Sequence, residues 1–336
     1  MSKFDFLNNE KYNFLKNDPH LGKNIILLGY GGSHSYGTNV PTSDVDIRGI
    51  AKNTTDCILG IDTFDQQEDK ETDTVVYGLS KALNLLASCN PNIIELLGLR
   101  KQDYAIISPE GQLLLDNADM FLSKKAISSF GGYATAQLRR LQNALAHDSY
   151  PQKEKNRHIL GSIQNAMHTF NDRYSEAYRK LTVRLNDKNE LVADVVMHGY
   201  PLDELHGMLS EITSIIREYN KLNHRNKKKD DAHLNKHAMH LIRLLITGEE
   251  ILRTGTVQTY REKEHDLLMD IRNGKYQKED HDFIPAFYDM LNEYESKFEY
   301  AAKHTALPDK PDMVRIQNFL KEINLQTILA EKNTTN

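Results

Sequence analysis

The sequence predicts an α+β fold in which a small mixed β-sheet near the N-terminus is followed by a larger all-helical region. Short apolar runs next to glycines, such as residues 24–28, have the length and composition of strands and lie in the first part of the chain. Beyond about Ser123, amphipathic stretches with helical periodicity dominate instead. The chain of 336 residues is long enough for two ordinary domains, so we expect an α+β domain over residues 1–122 and a helical domain over residues 123–330.

The first predicted strand ends in a glycine-rich turn. An apolar run at residues 25–28 is followed closely by the pair Gly31-Gly32. Glycine adopts the backbone angles of a tight turn at little cost and lets a ligand approach the backbone. Ser33 adds a hydroxyl at the start of a short helical turn, so we expect Gly32 and Ser33 to bind the phosphates of a nucleotide.

Two carboxylates follow at a spacing of two residues. In Asp44-Val45-Asp46-Ile47 polar and apolar residues alternate, so a strand would place both carboxylates on one face and the apolar side chains on the other. Neighbouring carboxylates repel one another unless a cation neutralises them, and their oxygens are ligands that Mg²⁺ or Mn²⁺ accepts. We therefore predict that Asp44 and Asp46 are catalytic residues and metal ligands.

A third carboxylate is expected at Asp73, since a two-metal site commonly needs one. Asp73 opens the β-branched segment 74–77, which would form a strand beside the Asp44 strand. Asp69 and Glu71 lie close by and are alternatives. With Asp73, the predicted catalytic and metal-binding set is complete.

Other readings of these residues fit less well. An Asp-x-Asp after a proline is often a solvated turn. A dinucleotide-binding fingerprint would need a glycine at His34, and Pro41 leaves too little room for the long helix of that fold. A phosphate loop of the Gly-Lys-Ser/Thr type does not occur in the sequence.

The ordered combination resembles the DNA polymerase β-like nucleotidyltransferase superfamily, whose members carry Gly-Ser followed by Asp-x-Asp and a third acid. Tyr36-Gly37 and residues 43–49 more narrowly resemble the nucleotidyltransferases of RNA-repair operons, a group also common in phages. The resemblance spans about residues 24–276. It implies transfer of a nucleotide from an NTP to an acceptor hydroxyl. Further segments that agree with this group are residues 90–97, 132–137, 236–245 and 271–274.

A helix predicted over residues 231–254 carries a cationic stripe. Lys236, His240 and Arg243 are spaced at i, i+4 and i+7 and share one face, while most of the remaining surface is apolar. An ordinary solvent-facing stripe has the same pattern. The family resemblance favours nucleotide binding by these three side chains.

The same helix also offers a zinc site as an alternative. His233, His237 and His240 have suitable spacing for three imidazole ligands. However, no glutamate follows His233 as in the His-Glu-x-x-His pattern.

A short strand is predicted at residues 192–196, and the other predicted helices cover about residues 123–147, 152–182, 203–223, 262–273, 281–304 and 311–323.

Composition narrows the class of protein. No apolar run approaches the ~20 residues of a membrane span and the N-terminus has no signal-peptide core, so we expect a cytoplasmic protein without membrane partners. The net charge of −5 argues against a protein that coats nucleic acid indiscriminately. Residues 121–190 nevertheless hold 12 Lys and Arg against 6 Asp and Glu, which would suit contact with RNA. Cys57 and Cys89 are too few for a disulfide framework and are read as reduced thiols.

The patterns together predict a metal-dependent enzyme that moves a nucleoside monophosphate, expected to be AMP, from an NTP to a hydroxyl and releases pyrophosphate. The operon-type resemblance implies that the acceptor is an RNA 3′ end, such as that of tRNA. One alternative is protein nucleotidylation, with AMP added to a partner such as a toxin. The other is a nucleotide-sensing module that binds the NTP without turnover.

Overall fold

The computed structural model describes residues 3–149, 179–188, 191–197, 209, 213, 231–279 and 281–334. The chain divides into two compact units, the first formed by Met1–Gln137, Ala238–Tyr276 and Ile284–Asn336 and the second by Leu138–His237 and Gln277–Phe283. The domain bounds 1–122 and 123–330 stay a prediction.

The elements are numbered in chain order over the described residues. The strands are β1 (Ile25–Tyr30), β2 (Ile47–Ala51), β3 (Gln66–Asp69), β4 (Thr74–Gly78), β5 (Tyr104–Ile107), β6 (Arg179–Leu185) and β7 (Leu191–Met197). The α-helices are α1 (Phe14–Asn17), α2 (Gly32–Tyr36), α3 (Thr55–Leu59), α4 (Leu79–Ala87), α5 (Pro91–Ile94), α6 (Pro109–Asp116), α7 (Lys125–Ser149), α8 (Asp231–Thr254), α9 (His265–Arg272), α10 (Pro285–His304) and α11 (Met313–Thr334). Short 3₁₀ turns cover Asp5–Asn8, Glu10–Tyr12, Gly22–Asn24, Glu95–Gly98, Lys101–Asp103 and Ala118–Phe121.

Five strands of the first unit form a mixed sheet in the order β3-β4-β2-β1-β5. β1 is antiparallel to both β2 and β5, β2 is parallel to β4, and β3 is antiparallel to β4. Every residue of β1 is buried, as a central strand with a continuous apolar sequence requires. The predicted α+β class with a mixed N-terminal sheet is confirmed.

The core of this unit forms between the sheet and α4. Ile47 and Ile50 of β2 are fully buried. On α4, Leu79, Leu83 and Leu86 follow one another at helical spacing and are at most 2% exposed. Burial of each such leucine contributes about 1.5–3 kcal/mol before entropy is counted, which fixes the strands whose ends carry the acids.

A two-stranded hairpin, β6 with β7, belongs to the second unit. The strand predicted at residues 192–196 is confirmed, whereas the helix predicted over residues 152–182 is wrong at residues 179–182, which lie in β6. Backbone pairing with β7 outweighs the helical pattern there, because strand formation depends on the partner strand as well as on the segment itself. Residues 150–178 lie outside the described residues, as does 203–223 apart from the helical residues 209 and 213.

The predicted C-terminal helices are present. α8 has the predicted bounds, α9 and α10 begin three to four residues later than predicted, and α11 continues well beyond residue 323. The delay of α10 has a local reason, because Pro285 occupies the first turn, where its missing N–H costs nothing. Among the described residues, no helix combines the length and the apolar character needed to cross a bilayer.

Candidate active site

The glycine turn and two of the predicted acids meet at one end of the mixed sheet. The Gly31 N–H donates to the Asp46 carbonyl oxygen at 2.9 Å, and the Ile47 N–H donates to the Asp73 carbonyl oxygen at 3.1 Å. The parallel pairing of β2 with β4 therefore places Asp46 and Asp73 side by side at the starts of neighbouring strands. β2 begins at Ile47, so Asp44 and Asp46 lie in the segment just before the strand and not within it.

The competing acid Asp69 is used within its own turn. Its Oδ2 accepts hydrogen bonds from the Thr72 N–H at 2.9 Å and the Thr72 hydroxyl at 2.6 Å. The Asp73 side chain is 52% exposed and turns toward Arg48. Of these two acids, Asp73 is the one available to a ligand.

The glycine turn leads directly into α2. Gly31 is the N-cap residue, and Gly37 ends the helix in the left-handed conformation with φ 74°. Ser33 lies inside the first turn and does not cap the helix with its side chain. Gly32 has φ +55°, and a Cβ at this position would clash with Asp46 Oδ2, so the Asp46 carboxylate lies directly against the turn.

Gly32→Ala should therefore be strongly destabilising. The positive φ alone costs an L-residue about 1–2 kcal/mol, and the Asp46 carboxylate must also move, so we expect a loss of about 2 kcal/mol or more in the free energy of unfolding. Gly132→Ala in α7 is a matched control, because its added Cβ meets no atom within 4 Å. The control should gain about 0.5–1 kcal/mol. Urea denaturation compares them, and equal midpoints would contradict the role given to Gly32.

Arg48 bridges the two neighbouring acids, a role that sequence reasoning did not give it. Its Nη2 lies 3.4 Å from Asp46 Oδ1 and 3.1 Å from Asp73 Oδ1, and its Nη1 donates to the Asp73 carbonyl oxygen at 2.6 Å. Arg48 faces the acids because it lies two residues after Asp46 on the same face of the strand. The sequence contained the signal as the arginine of Asp46-Ile47-Arg48, but it did not show that Arg48 would contact Asp73, the residue just before β4.

The acids fit a hard divalent cation in their chemistry. The side chains of all three acids offer only carboxylate oxygens as ligands. The single positive charge of Arg48 does not balance the negative charges of Asp44, Asp46 and Asp73. Asp44 is exposed and forms no ion pair with any described residue. In the described chain the oxygens of all three acids do not lie within 4.8 Å of one another, so joint coordination requires movement of the two exposed side chains, Asp44 and Asp73.

Glu95 is a buried carboxylate behind the glycine turn, and sequence reasoning gave it no catalytic role. Its Oε1 accepts a hydrogen bond from the Gly32 N–H at 3.3 Å. Burial raises the pKa of Glu95 to about 7, although the nearby guanidinium groups of Arg243 and Arg48 oppose this shift. The sequence signal for a special role of Glu95 was a charged residue inside the apolar run 93–99, because a buried carboxylate needs partners.

Glu95 should make the stability of the protein depend on pH. Its pKa is higher in the folded chain than the ordinary 4.5, so the folded state binds more protons between about pH 4.5 and about pH 7. The free energy of unfolding therefore falls as pH rises through this window, by about 2 kcal/mol between about pH 5 and about pH 7.5.

Glu95→Gln tests this dependence, because glutamine keeps an oxygen for the Gly32 N–H but cannot ionise. Relative to the unchanged protein, the variant should gain about 2 kcal/mol as pH rises from about 5 to about 7.5. Urea denaturation at both pH values without divalent cations measures the difference. A difference between the two proteins that stays constant with pH would refute the prediction.

Two members of the predicted cationic stripe reach this part of the first unit. Arg243 is 6% exposed, and its guanidinium carbon lies 3.7 Å from the centre of the Tyr36 ring. Its Nη1 lies 3.5 Å from the Gly32 carbonyl oxygen, and its Nη2 donates to Nδ1 of His240 at 3.2 Å, which leaves the His240 proton on Nε2. Lys236 is exposed and belongs to the second unit, so its role stays a prediction.

Arg272 holds the segment that leads to Asp44. Its Nη2 donates to Ser43 Oγ at 2.9 Å, and the Val40 N–H donates to the same oxygen at 2.9 Å. Burial and the nearby Arg243 guanidinium lower the pKa of Arg272. Ser43 thereby fixes the turn immediately before the first acid.

Arg243 and Arg272 present unsatisfied donors. Among the described residues, the buried Nε of Arg243 and the buried Nη1 of Arg272 have no hydrogen-bond partner, and neither guanidinium forms an ion pair with a carboxylate within 4.0 Å. Buried donors without partners are costly, and two arginines near one another favour an anion between them. This part of the site therefore has the charge and the donors to bind a phosphate group.

A family model described as RlaP, RNA repair pathway DNA polymerase beta family, matches residues 8–182, which is more than half of the chain. No curated protein and no solved structure gives a significant match to the chain. The matched range contains the glycine turn, the three acids, Arg48 and Glu95. Arg243 and Arg272 lie beyond it.

Proposed function

The chain belongs to the RNA repair pathway DNA polymerase β family, and we propose that it transfers AMP from ATP to a hydroxyl at an RNA 3′ end. The observation that carries this proposal is the meeting of the Gly31-Gly32 turn, Asp46 and Asp73 at one end of the mixed sheet. This meeting supports the proposal because nucleotidyl transfer needs a turn that binds phosphate close to carboxylates that bind a metal.

The donor half of the reaction rests on the turn and the arginines. Gly32 and Ser33 are the phosphate contacts that the sequence pattern favours, and Arg243 lies 3.5 Å from the Gly32 carbonyl oxygen with an Nε donor that has no partner among the described residues. Arg243 then neutralises phosphate charge, and the Nε2–H of His240 donates a hydrogen bond that orients the triphosphate. Lys236 is a further candidate contact from the sequence pattern.

Asp44, Asp46 and Asp73 would hold Mg²⁺ or Mn²⁺, which when bound neutralises phosphate charge and favours ionisation of the attacking hydroxyl. The hydroxyl oxygen forms a bond to the α-phosphorus, its proton passes to Asp73, and pyrophosphate leaves. The Arg48 guanidinium holds Asp73 in place by donating hydrogen bonds to the backbone carbonyl oxygen and to the carboxylate of Asp73. Arg272 keeps Asp44 near the same sheet end through Ser43.

RNA is favoured as the acceptor by the description of the family, which places its members in an RNA repair pathway. The excess of Lys and Arg in residues 121–190 is in keeping with this acceptor. A protein acceptor has no comparable support. A tRNA 3′ end is the form of RNA that we propose for the first trial.

The experiment is incubation of the full chain with each of the four α-labelled NTPs, Mg²⁺ or Mn²⁺, and total tRNA. We expect label from ATP on RNA together with stoichiometric pyrophosphate. Label on added protein instead of RNA would replace the proposal with protein nucleotidylation. Binding of ATP without release of pyrophosphate would leave only a nucleotide-sensing module.

A further inference from the structure

Three metal-ligating side chains of different chemistry converge away from the acids. Cys57 Sγ lies 3.8 Å from His20 Nδ1 and 3.7 Å from Asp62 Oδ2, and His20 Nε2 lies 3.6 Å from the same carboxylate oxygen. One donor atom from each residue lies within 4.8 Å of the other two. Among the described residues, His233, His237 and His240, the alternative zinc ligands considered from the sequence, do not form such a group.

The group lies at the end of the sheet opposite the acids. Ile25, the first residue of β1, pairs with Ala51, the last residue of β2, while Tyr30 pairs with Ile47 beside the acids. His20 precedes β1, and Cys57 and Asp62 follow β2, so all three belong to the far end. The strands separate this group from the candidate active site by about 15 Å.

The distances agree with the edges of a tetrahedral metal site. Zinc bonds of about 2.3 Å to sulfur and 2.0–2.2 Å to nitrogen and oxygen give ligand separations of about 3.4–3.6 Å at tetrahedral angles. The three observed separations are 3.6–3.8 Å. An imidazole uses one nitrogen for a metal, so one neighbour must shift, and Asp62, with a side chain 46% exposed, has the room to do so.

Each ligand is held in place by a contact that leaves its donor atom available. The His20 ring stacks on Phe64 with centroids 4.6 Å apart and planes 8° from parallel. The Cys57 N–H donates to the Thr54 hydroxyl at 3.3 Å, and Asp62 Oδ1 accepts the Thr63 N–H at 2.8 Å while Oδ2 faces the thiol. Rotamers fixed by neighbours reduce the entropy that metal binding would cost.

The mixture of donors selects the metal. A thiol carries one proton, so it cannot donate to the imidazole and the carboxylate at once, whereas a cation between the three satisfies all of them. Thiolate and imidazole suit Zn²⁺, and Mg²⁺ prefers oxygen ligands. Three protein ligands leave one tetrahedral position for water.

We propose that His20, Cys57 and Asp62 form a Zn²⁺ site that ties the segment before β1 to the loop after β2. Binding breaks the S–H bond of Cys57, releases that proton to solvent and forms a Zn–S bond without any change in oxidation state. The site is separate from nucleotidyl transfer and stands whether or not that activity is found.

The test uses Co²⁺ as a spectroscopic substitute for Zn²⁺ on the full chain after removal of metals with a chelator. One equivalent of Co²⁺ should produce thiolate-to-cobalt charge-transfer absorption, and Zn²⁺ should abolish it. Cys57→Ser should eliminate the absorption, and His20→Gln should weaken Co²⁺ binding about tenfold or more. Millimolar Mg²⁺ should leave the absorption unchanged.

Two controls separate this site from the other thiol and from the acids. Cys89 is fully buried and burial raises the pKa of its thiol, so Cys89→Ala should keep the absorption. The double variant Asp44→Asn, Asp46→Asn should keep it as well. Absence of the absorption in the unchanged protein, or its persistence in Cys57→Ser, would overturn the proposal. Zn²⁺ should also raise the melting temperature of the unchanged protein and not that of Cys57→Ser.

Discussion

The double variant Asp44→Asn, Asp46→Asn is expected to lose nucleotidyl transfer by a factor of about 10³ or more. The Asp46 carboxylate lies beside the glycine turn and Asp44 precedes it by two residues, and asparagine has a similar shape but no charge for a divalent cation or for the developing charge at phosphorus. Such a loss corresponds to about 4 kcal/mol of transition-state stabilisation. Pyrophosphate release from ATP in the presence of Mg²⁺ and acceptor RNA measures it.

The fold should survive these two substitutions. Asp44 is exposed, and the part-exposed ion pair of Asp46 with Arg48 contributes at most about 1 kcal/mol, so the urea midpoint should change little. Asp289→Asn on α10 is a matched control because Asp289 is also exposed. Full activity in the double variant, or an equal loss in the control, would refute the assignment of the acids.

Arg243→Gln is expected to lower kcat/KM for the NTP by about a hundredfold or more. The substitution removes a buried positive charge that lies 3.7 Å from the Tyr36 ring and 3.5 Å from the Gly32 carbonyl oxygen, where phosphates would lie. Charge-assisted hydrogen bonds to phosphate in a buried site are among the strong ones, and a hundredfold corresponds to about 2.7 kcal/mol. NTP binding by calorimetry and pyrophosphate release together separate affinity from turnover.

The same helix provides the control for Arg243. Arg253 is exposed on α8 and pairs with Glu249 at 2.7 Å, so Arg253→Gln should leave NTP binding unchanged. Arg243→Gln should also raise the pKa of Glu95 further, because the Arg243 guanidinium lowers it. Unchanged NTP binding in Arg243→Gln would remove this arginine from the site.

Much of the site follows from local sequence signals. The apolar run before Gly31-Gly32 and the alternation at Asp44-Val45-Asp46-Ile47 describe segments of a few residues whose conformation depends mainly on their own side chains. The position of Asp73 beside Asp46 was predictable because a β-branched segment follows Asp73. The shared face of His240 and Arg243 is a consequence of helical periodicity.

Pairing between distant strands decided the length of one predicted helix. The segment 179–182 has a helical pattern when read alone, but β7 offers it a complete ladder of backbone partners. Cross-strand contacts of this kind cannot be read from the period of one segment. Local reasoning was therefore wrong at the start of β6, whereas it predicted the partner strand β7 correctly.

By itself, the sequence determined that a glycine turn is followed by two acids and a third, because spacing along a strand or turn is a property of the chain. Only the tertiary structure decided which groups neutralise or hold them. Arg48 spans to Asp73, Glu95 accepts the Gly32 N–H, and Arg272 reaches Ser43 across 229 positions of sequence. Charges and hydrogen bonds act through space, so their partners are fixed by packing and cannot be read from neighbouring positions in the sequence.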